Sequence, residues 1–473
     1  MTRASQVPSP RILWALAALA LVARVVAWWL RPELHPDELF QYVDPAVHRL
    51  RGVGWQTWEW HEGIRSWVLT GYHGAWMVVA GWMGTPRGLP TFLFLQLHWA
   101  VVSTAWLVIG WAGGEAVGRL LLGRAADDDR TAWEGALLGA ALFAIYPPLV
   151  VYGARTLSEV PSSMCLVTSL VLVAGAIGDS GTRGRARALW AGVLGASGVC
   201  LRLASGPLVL VPLIWLLARR RWRLLASFGL GGLCPVLLFG AVDWATWNRP
   251  FGSFLAYVRV NLVEGRAAEF GVEGPLWYVE RLWDRAGLGA VVLLAVACAG
   301  WRATWPFLAS AVGLVVYLST QAHKEERFVM SFWPYLLVAA CGVAGAWLGR
   351  RPQPEVRRTL WIGSALVAAL LSLDGLRGVM RLSWNDHGTL LRDAQSLVAR
   401  QTDVTGLLLD EFYDSGAYAA FGRDVPMLRY GVECLPNPIF NYVIAGHDST
   451  VEEAERAGFR TIRRVRDVTI LRR

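Results

Sequence analysis

The chain has 473 residues, 55% of them apolar and 17% charged, with a mean hydropathy of +0.39. That balance excludes an ordinary soluble globular domain and describes a polytopic membrane protein. The net charge of +9 does not indicate a nucleic-acid partner, because the arginines gather in short loops between apolar runs, the pattern of cytoplasmic loops.

The first apolar run, Ile12 to Leu30, follows Arg3 and Arg11 and exceeds a signal-peptide core, so it is expected to persist as a first helix with its N-terminus in the cytoplasm. Arginine-rich loops at 119–130, 183–187, 219–223 and 350–358 orient the rest. Crossings are expected near 11–30, 91–112, 131–150, 158–178, 188–203, 205–218, 224–242, 286–301, 303–320, 328–349 and 359–378, eleven in all. The apolar stretch 66–84 breaks the parity of that count and is expected to return to the outer face as a re-entrant or interfacial segment. Residues 1–378 then form a transmembrane domain with external loops at 31–65, 151–158, 243–285 and 321–328. The tail, 379–473, reads as a small external α/β domain: a polar helix at Leu390–Arg400, strands at Val404–Leu409 and Asn441–Ala445, and a helix followed by a strand over Thr450–Leu471. The six cysteines are scattered without metal or disulfide spacing.

The external segments hold the polar constellations. The first is His35-Pro36-Asp37-Glu38, followed by Trp58-Glu59-Trp60-His61-Glu62-Gly63-Ile64-Arg65. Pro36 suits the first turn of a helix, and acids there favour its N-terminus electrostatically; alternatively one of the two acids is a general base. Trp58 and Trp60 are either interfacial anchors or a substrate platform. In Arg155-Thr156-Leu157-Ser158-Glu159, Arg155 and Glu159 stand at i and i+4, either as a local ion pair or as part of the site. Arg202, at the outer end of a span, either snorkels or contacts an anion. The loop 243–285 is dense in glycine and proline, as a lid over a substrate groove would be.

The last constellation contains the only lysine in the chain, Lys324, within His323-Lys324-Glu325-Glu326-Arg327-Phe328. Five consecutive ionisable groups at a membrane boundary are costly and mark a functional candidate. His323, Lys324 and Arg327 suit a lipid-linked phosphate, with the two glutamates tempering or orienting the cations. Transfer from a phosphate-linked donor needs one carboxylate to take the acceptor's proton and cations to stabilise the departing phosphate.

The strings HPDELFQYVDPAVHRLRGVGWQTWEWHEGIRS and HKEERF resemble the glycosyltransferase family 22 mannosyltransferases, which add mannose to the N-glycan precursor and to GPI anchors. RTLSEVP and the loop WNRPFGSFLAYVRVNLVEGRAAEFGVEGPLWY extend the resemblance in the family's order over residues 12–350. It implies a GT-C fold, a polyprenyl-phosphate-sugar donor, a glycan or glycolipid acceptor, and an inverting transfer that yields an α-mannoside. Its catalytic acid falls on Asp37, with Glu38 beside it. The implied substrate contacts are His35, Trp58, Trp60, Arg65, Arg155, Glu159, Arg202, His323, Lys324, Glu326 and Arg327. No cofactor and no metal are expected. The compositional bias toward arginine, alanine and tryptophan suggests a bacterium, hence the inner membrane with a periplasmic site, or the ER membrane in a eukaryote. The alternatives are a lipid-linked-sugar flippase, which would place its ionisable groups near the bilayer midplane, and an inactive lipid-binding homologue.

Overall fold

The computed structural model describes residues 10–30, 35–122, 129–179, 181–350, 353–381 and 386–473. They fall into two compact units. The larger comprises the described residues up to Ala27 with Ala100–Ala154 and Ser158–Arg381; the smaller comprises Trp28–Trp99, Arg155–Leu157 and the tail from Leu382.

All eleven expected crossings are helical. Six helices among the described residues are long and apolar enough to span a bilayer: Pro10–Trp29, Leu89–Leu122, Glu159–Gly178, Trp222–Trp247, Trp277–Ala299 and Glu326–Gly349. The bent pair Ala132–Ile145 and Pro147–Gly153 would make a seventh. The others fall short for visible reasons. Gly181–Leu201 opens with Arg183, Arg185 and Arg187, and the apolar runs Leu203–Ala218 and Trp361–Leu373 are short. The stretch expected to return to the outer face is the helix Trp67–Trp82, opened by the Ser66 hydroxyl accepting the Val68 amide.

The core of the larger unit is built on glycine. The helices Trp106–Leu122, Asp129–Ile145 and Phe332–Gly349 meet where Gly110 faces Gly139 and Gly114 faces Gly135, with Gly345 against Gly135. A Cβ on Gly114 would overlap the Gly135 carbonyl, and one on Gly139 the Gly110 carbonyl. Small residues at this four-residue spacing let backbones approach closely, a major source of helix association in lipid.

Arg24 lies deep inside this unit. Arg24, fully buried, donates to the carbonyls of Ala20 (3.1 Å), Ala144 (3.0 Å) and Phe143 (3.0 Å) and to the Ser103 hydroxyl (3.1 Å). Its place follows from the sequence Pro147-Pro148. Two successive prolines lack the amides that would have bonded Phe143 and Ala144 one turn earlier, and the helix bends there by 54°. The guanidinium supplies the missing donors, which an apolar environment requires.

The tail carries a five-stranded sheet of β1 (Leu407–Leu409), β2 (Met427–Arg429), β3 (Tyr442–Ala445), β4 (Arg460–Val465) and β5 (Val468–Arg472), in the order β2-β1-β3-β5-β4. The first three strands are parallel; β5 runs antiparallel to β3 and β4. Alternation along each strand divides its side chains between two cores. Leu408, Val443, Ala445 and Leu471 pack with Ala454 and Phe459. On the other face Leu407, Leu409, Tyr442, Ile444 and Ile470 share a core with Leu391 and Val398 of the helix Asp386–Ala399, and with Leu39, Phe40, Val43 and Phe92 from the N-terminal third of the chain. The tail and the first external loop are therefore one folding unit.

Gly114→Leu is expected to abolish recovery of folded protein by size exclusion in detergent, because backbone at a close approach relaxes poorly and overpacking typically costs about 1–3 kcal/mol even where side chains can yield. Gly363→Ala, where an added Cβ meets nothing within 4 Å, should elute as wild type.

Candidate active site

In the smaller unit the chain enters a helix at Pro36 and continues to Arg51, but over Glu38–Val43 it widens into a π-helix. Such wide turns concentrate at functional sites. The entry is tied down locally: the Glu38 amide donates to the His35 carbonyl (2.9 Å), the His35 amide to Glu38 Oε1 (3.3 Å), and the Asp37 amide to His35 Nδ1 (3.2 Å).

The adjacent acids have different surroundings. Glu38 is fully buried; Oε1 accepts from Arg155 (3.2 Å), while Oε2 accepts from the Thr156 amide (3.2 Å) and the Gln96 side chain (3.4 Å). Asp37 is half-buried and accepts from the Gln41 side chain. Glu38 is thus committed to the protein, whereas Asp37 keeps access to solvent.

The expected Arg155–Glu159 pair does not exist as drawn from spacing. The helix begins only at Glu159, so residues 155–158 lack the helical register, and Arg155 instead reaches 117 positions back to Glu38. Trp60 is also not a platform. Only 2% exposed, it donates its indole N–H to the Gln41 carbonyl (3.2 Å) and packs on Trp67, so it holds the π-helical turn from behind. Trp58 is half-buried at the start of the short helix Trp58–His61. Arg65 forks onto Glu59 (3.1 and 2.5 Å). Burial works against its charge, but Glu59, Tyr42 and Asp37 outweigh it and raise its pKa.

Asp44, the residue immediately after the π-helix, escaped the sequence reading. Buried completely, it accepts the amides of Trp55 (2.8 Å) and Ala419 (2.8 Å). Gly54 makes the first contact possible: with φ at +144°, a Cβ there would lie 2.5 Å from the Asp44 carbonyl. Burial pushes the Asp44 carboxyl up to about 7, against the pull of the amides of Trp55, Ala419 and Tyr418 and of the Arg51 charge.

The larger unit holds the cations. Glu159 Oε1, at the start of its helix, meets Arg202 (2.9 Å) and Arg327 (3.1 Å). Arg327 also donates to Glu325 (2.6 Å), and the guanidinium groups of Arg202 and Arg327 lie 4.7 and 5.1 Å from the Phe328 ring centre. His323 contacts Glu325 (3.0 Å); that hydrogen bond, opposed by burial, raises its pKa. Glu326 does not face this cluster but clamps Arg285 through both oxygens (2.6 and 2.8 Å). Lys324 departs from expectation most. It is buried and donates to the carbonyls of Glu273 (2.9 Å) and Gln321, so it fastens the long glycine-rich loop to the turn before the motif. Arg285 and the Glu273 carbonyl carried no sequence signal, because their partners are more than 40 residues away.

The profile of the Alg9-like mannosyltransferase family matches residues 14–383. The chain belongs to that family. The α-1,2-mannosyltransferase alg9 of Schizosaccharomyces pombe is 25% identical over 364 residues, 70% of this chain and 58% of that one. GPI mannosyltransferase 3 of Yarrowia lipolytica is 25% identical over 364 residues, 73% and 64% of the two chains. A Dol-P-Man:Man(7)GlcNAc(2)-PP-Dol α-1,6-mannosyltransferase of Drosophila melanogaster is 31% identical over 121 residues, 25% and 17% of the two chains. The chain spans less than two-thirds of the length of each of these relatives. Among solved structures, ArnT from Cupriavidus metallidurans bound to undecaprenyl phosphate matches 98% of both chains with a TM-score of 0.66 at 12% identity. Arabinofuranosyltransferase AftD from Mycobacteria matches 99% of this chain and 42% of its own, with a TM-score of 0.50 at 15% identity. The fold of this Alg9-like family member is therefore GT-C, that of a multi-pass membrane protein.

Two stability predictions follow from the acids. Glu38→Ala removes a buried carboxylate paired with Arg155 and should cost about 3–5 kcal/mol, whereas Asp37→Asn should stay within about 1 kcal/mol of wild type; equal unfolding midpoints in detergent would remove Glu38 as the tether. Because the folded Asp44 carboxyl lies above its ordinary range, folding favours its protonated form. That contribution is complete at acid pH and is lost as pH rises through about 7. The wild-type midpoint should therefore fall more steeply than that of Asp44→Asn between about pH 4 and pH 7, and the two should run parallel above that.

Proposed function

We propose that this chain transfers mannose, or a related hexose, from a polyprenyl-phosphate-linked donor to a hydroxyl of a glycan or glycolipid acceptor, with inversion. The observation that carries the reading is the division of labour at Asp37-Glu38: one carboxylate is consumed by Arg155, Thr156 and Gln96, and its neighbour is left half-exposed beside a π-helical turn. Asp37 takes the proton of the attacking hydroxyl, the new bond forms at the anomeric carbon, and the bond to the phosphate breaks with both electrons leaving on the lipid phosphate. General-base help of this kind contributes about 10²–10⁴-fold.

The cation cluster suits the departing phosphate. Arg202 and Arg327 gather on Glu159, and His323, whose pKa the Glu325 hydrogen bond raises, stands in the same motif. Arg202 and His323 are the contacts we assign to the phosphate, with Arg327 beneath them; Lys324 and Glu326 shape the loop that carries them. Trp58 and Arg65 are assigned to the substrate side of the first loop, His35, Glu38, Trp60 and Arg155 to holding Asp37. A phosphate already leaves readily, so no resident metal is needed, and turnover should survive excess EDTA. The source we infer is bacterial, with a polyprenol donor and a site on the periplasmic face of the inner membrane.

The test is purified protein with radiolabelled polyprenyl-phosphate-mannose and a membrane extract of the source organism. Label should move into a glycan or glycolipid with wild type and fall at least about 100-fold with Asp37→Asn; wild-type turnover in that variant would remove Asp37 as the base. Arg202→Ala should raise the donor KM while leaving the acceptor KM unchanged, and an unchanged donor KM would refute the phosphate assignment.

A further inference from the structure

Residues beyond 383 lie outside the stretch matched by the family profile, yet they complete the core of the unit that carries Asp37. We propose that the tail 386–473 is a positioning element for the base: through Phe412, Tyr413 and the Ala419 amide it forms the wall that fixes the π-helical turn immediately following Asp37. This rests on the reading of Asp37 given above.

The contacts fall on the turn itself. Phe40, inside the π-helical stretch, lies 5.4 Å from the Phe412 ring and 5.5 Å from Tyr413. Trp55, which the Asp44 carboxylate holds by its amide, caps Phe412 from the other side at 4.7 Å. Both aromatics of the tail sit in the short turn that leaves the carboxyl end of β1, so their position is set by the parallel strands.

A second set of contacts fixes the far end of the same helix. Asp44 binds the Ala419 amide (2.8 Å), Arg51 binds Asp424, and Arg87 reaches the same carboxylate at 3.3 Å. Gly88 and Gly422 approach so closely that a Cβ on Gly422 would lie 2.7 Å from the Gly88 Cα. Ala417, two residues before the amide that Asp44 binds, is held at φ +45°, a left-handed backbone that alanine adopts only under constraint. A merely appended domain would not need such strain at its contact with the first loop. The helix is thus gripped by the tail at the π-helical turn that follows Asp37, through Phe40, and again along the α-helical segment after it, through Asp44 and Arg51.

The experiment is hydrogen–deuterium exchange of the full chain in detergent, comparing wild type, Phe412→Ala and Phe412→Leu, with transfer kinetics alongside. Phe412→Ala should speed exchange across 36–51 by about tenfold or more while the strands of the sheet stay protected. It should lower kcat with little change in donor KM, and Phe412→Leu should restore most of both. Unchanged exchange over 36–51 in Phe412→Ala would overturn the proposal. If that variant melts the sheet, protection at 36–51 that survives the melting overturns it equally, and protection lost with the sheet supports it. The exchange readout needs no substrate. A wild type that transfers nothing but shows this coupling would sink the transferase reading and leave the positioning role; normal transfer without the coupling would do the reverse.

Discussion

The buried carboxylate of Glu38 is the constraint on which the first loop depends. A charge without solvent is stable only when its lone pairs are taken up, and here a guanidinium, a backbone amide and a side-chain amide do so. Arg155 and Thr156 are 117 and 118 positions away in sequence, so one side chain joins the loop after the first span to the short connection before Glu159. Without that junction the entry to the π-helix would lack a fixed anchor, and the orientation of Asp37 would follow whichever turn the loop happened to populate. Glu38 therefore matters to chemistry without needing to touch a substrate.

The same accounting governs the polar groups of the larger unit. Two prolines strip the helix ending at Ile145 of the donors for its last carbonyls, and Arg24 comes from the first span to provide them. Lys324 answers a similar need in a loop, where the backbone of Glu273 and Gln321 turns carbonyls inward. An ammonium is a compact donor that can point at two carbonyls set at an open angle, whereas an arginine fork is planar and matches paired oxygens. That difference explains why one lysine persists in a chain that otherwise uses arginine, and it shifts the origin of the motif's signal from phosphate to loop architecture.

The helical segments were legible because apolar length is nearly the whole requirement for a span, and the strands Leu407–Leu409 and Tyr442–Ala445 because a continuous apolar run marks a strand covered on both faces; Met427–Arg429 and Arg460–Val465, short or exposed, carry no such run and escaped the sequence. Asp37 was singled out as a candidate by its place after Pro36 and by the resemblance of the surrounding string to a family motif. What escaped the sequence was partnership. Arg155 and Glu159 have the spacing of a helical pair, but spacing acts only if the helix has begun, and it begins too late. Trp60 carries the composition of an interfacial anchor, yet its indole serves the backbone of Gln41. Asp44 went unmarked, since its partners in the loop and the tail lie 11 and 375 positions away. Long-range hydrogen bonds leave no local pattern, and in this chain they decide which polar residues remain available.

The contrast in burial between the two neighbouring acids is the argument for a transfer site at Asp37. Evolution can keep an acid near a helix start for electrostatic reasons alone, and two acids side by side would serve that end redundantly. Here the pair is not redundant. The buried member orients a cation and closes a junction, and the half-exposed member stands at the one place where the helix abandons regular geometry. A π-helical turn gives up well-aligned hydrogen bonds, so it persists only where surrounding packing holds it. Trp60 and Gln41 grip it from within the loop, and Phe412 and Tyr413 from the tail. So much support around a single irregular turn is difficult to explain by folding alone, because a regular helix would satisfy the backbone with fewer contacts. It is readily explained if the direction of one carboxylate is what the fold must preserve.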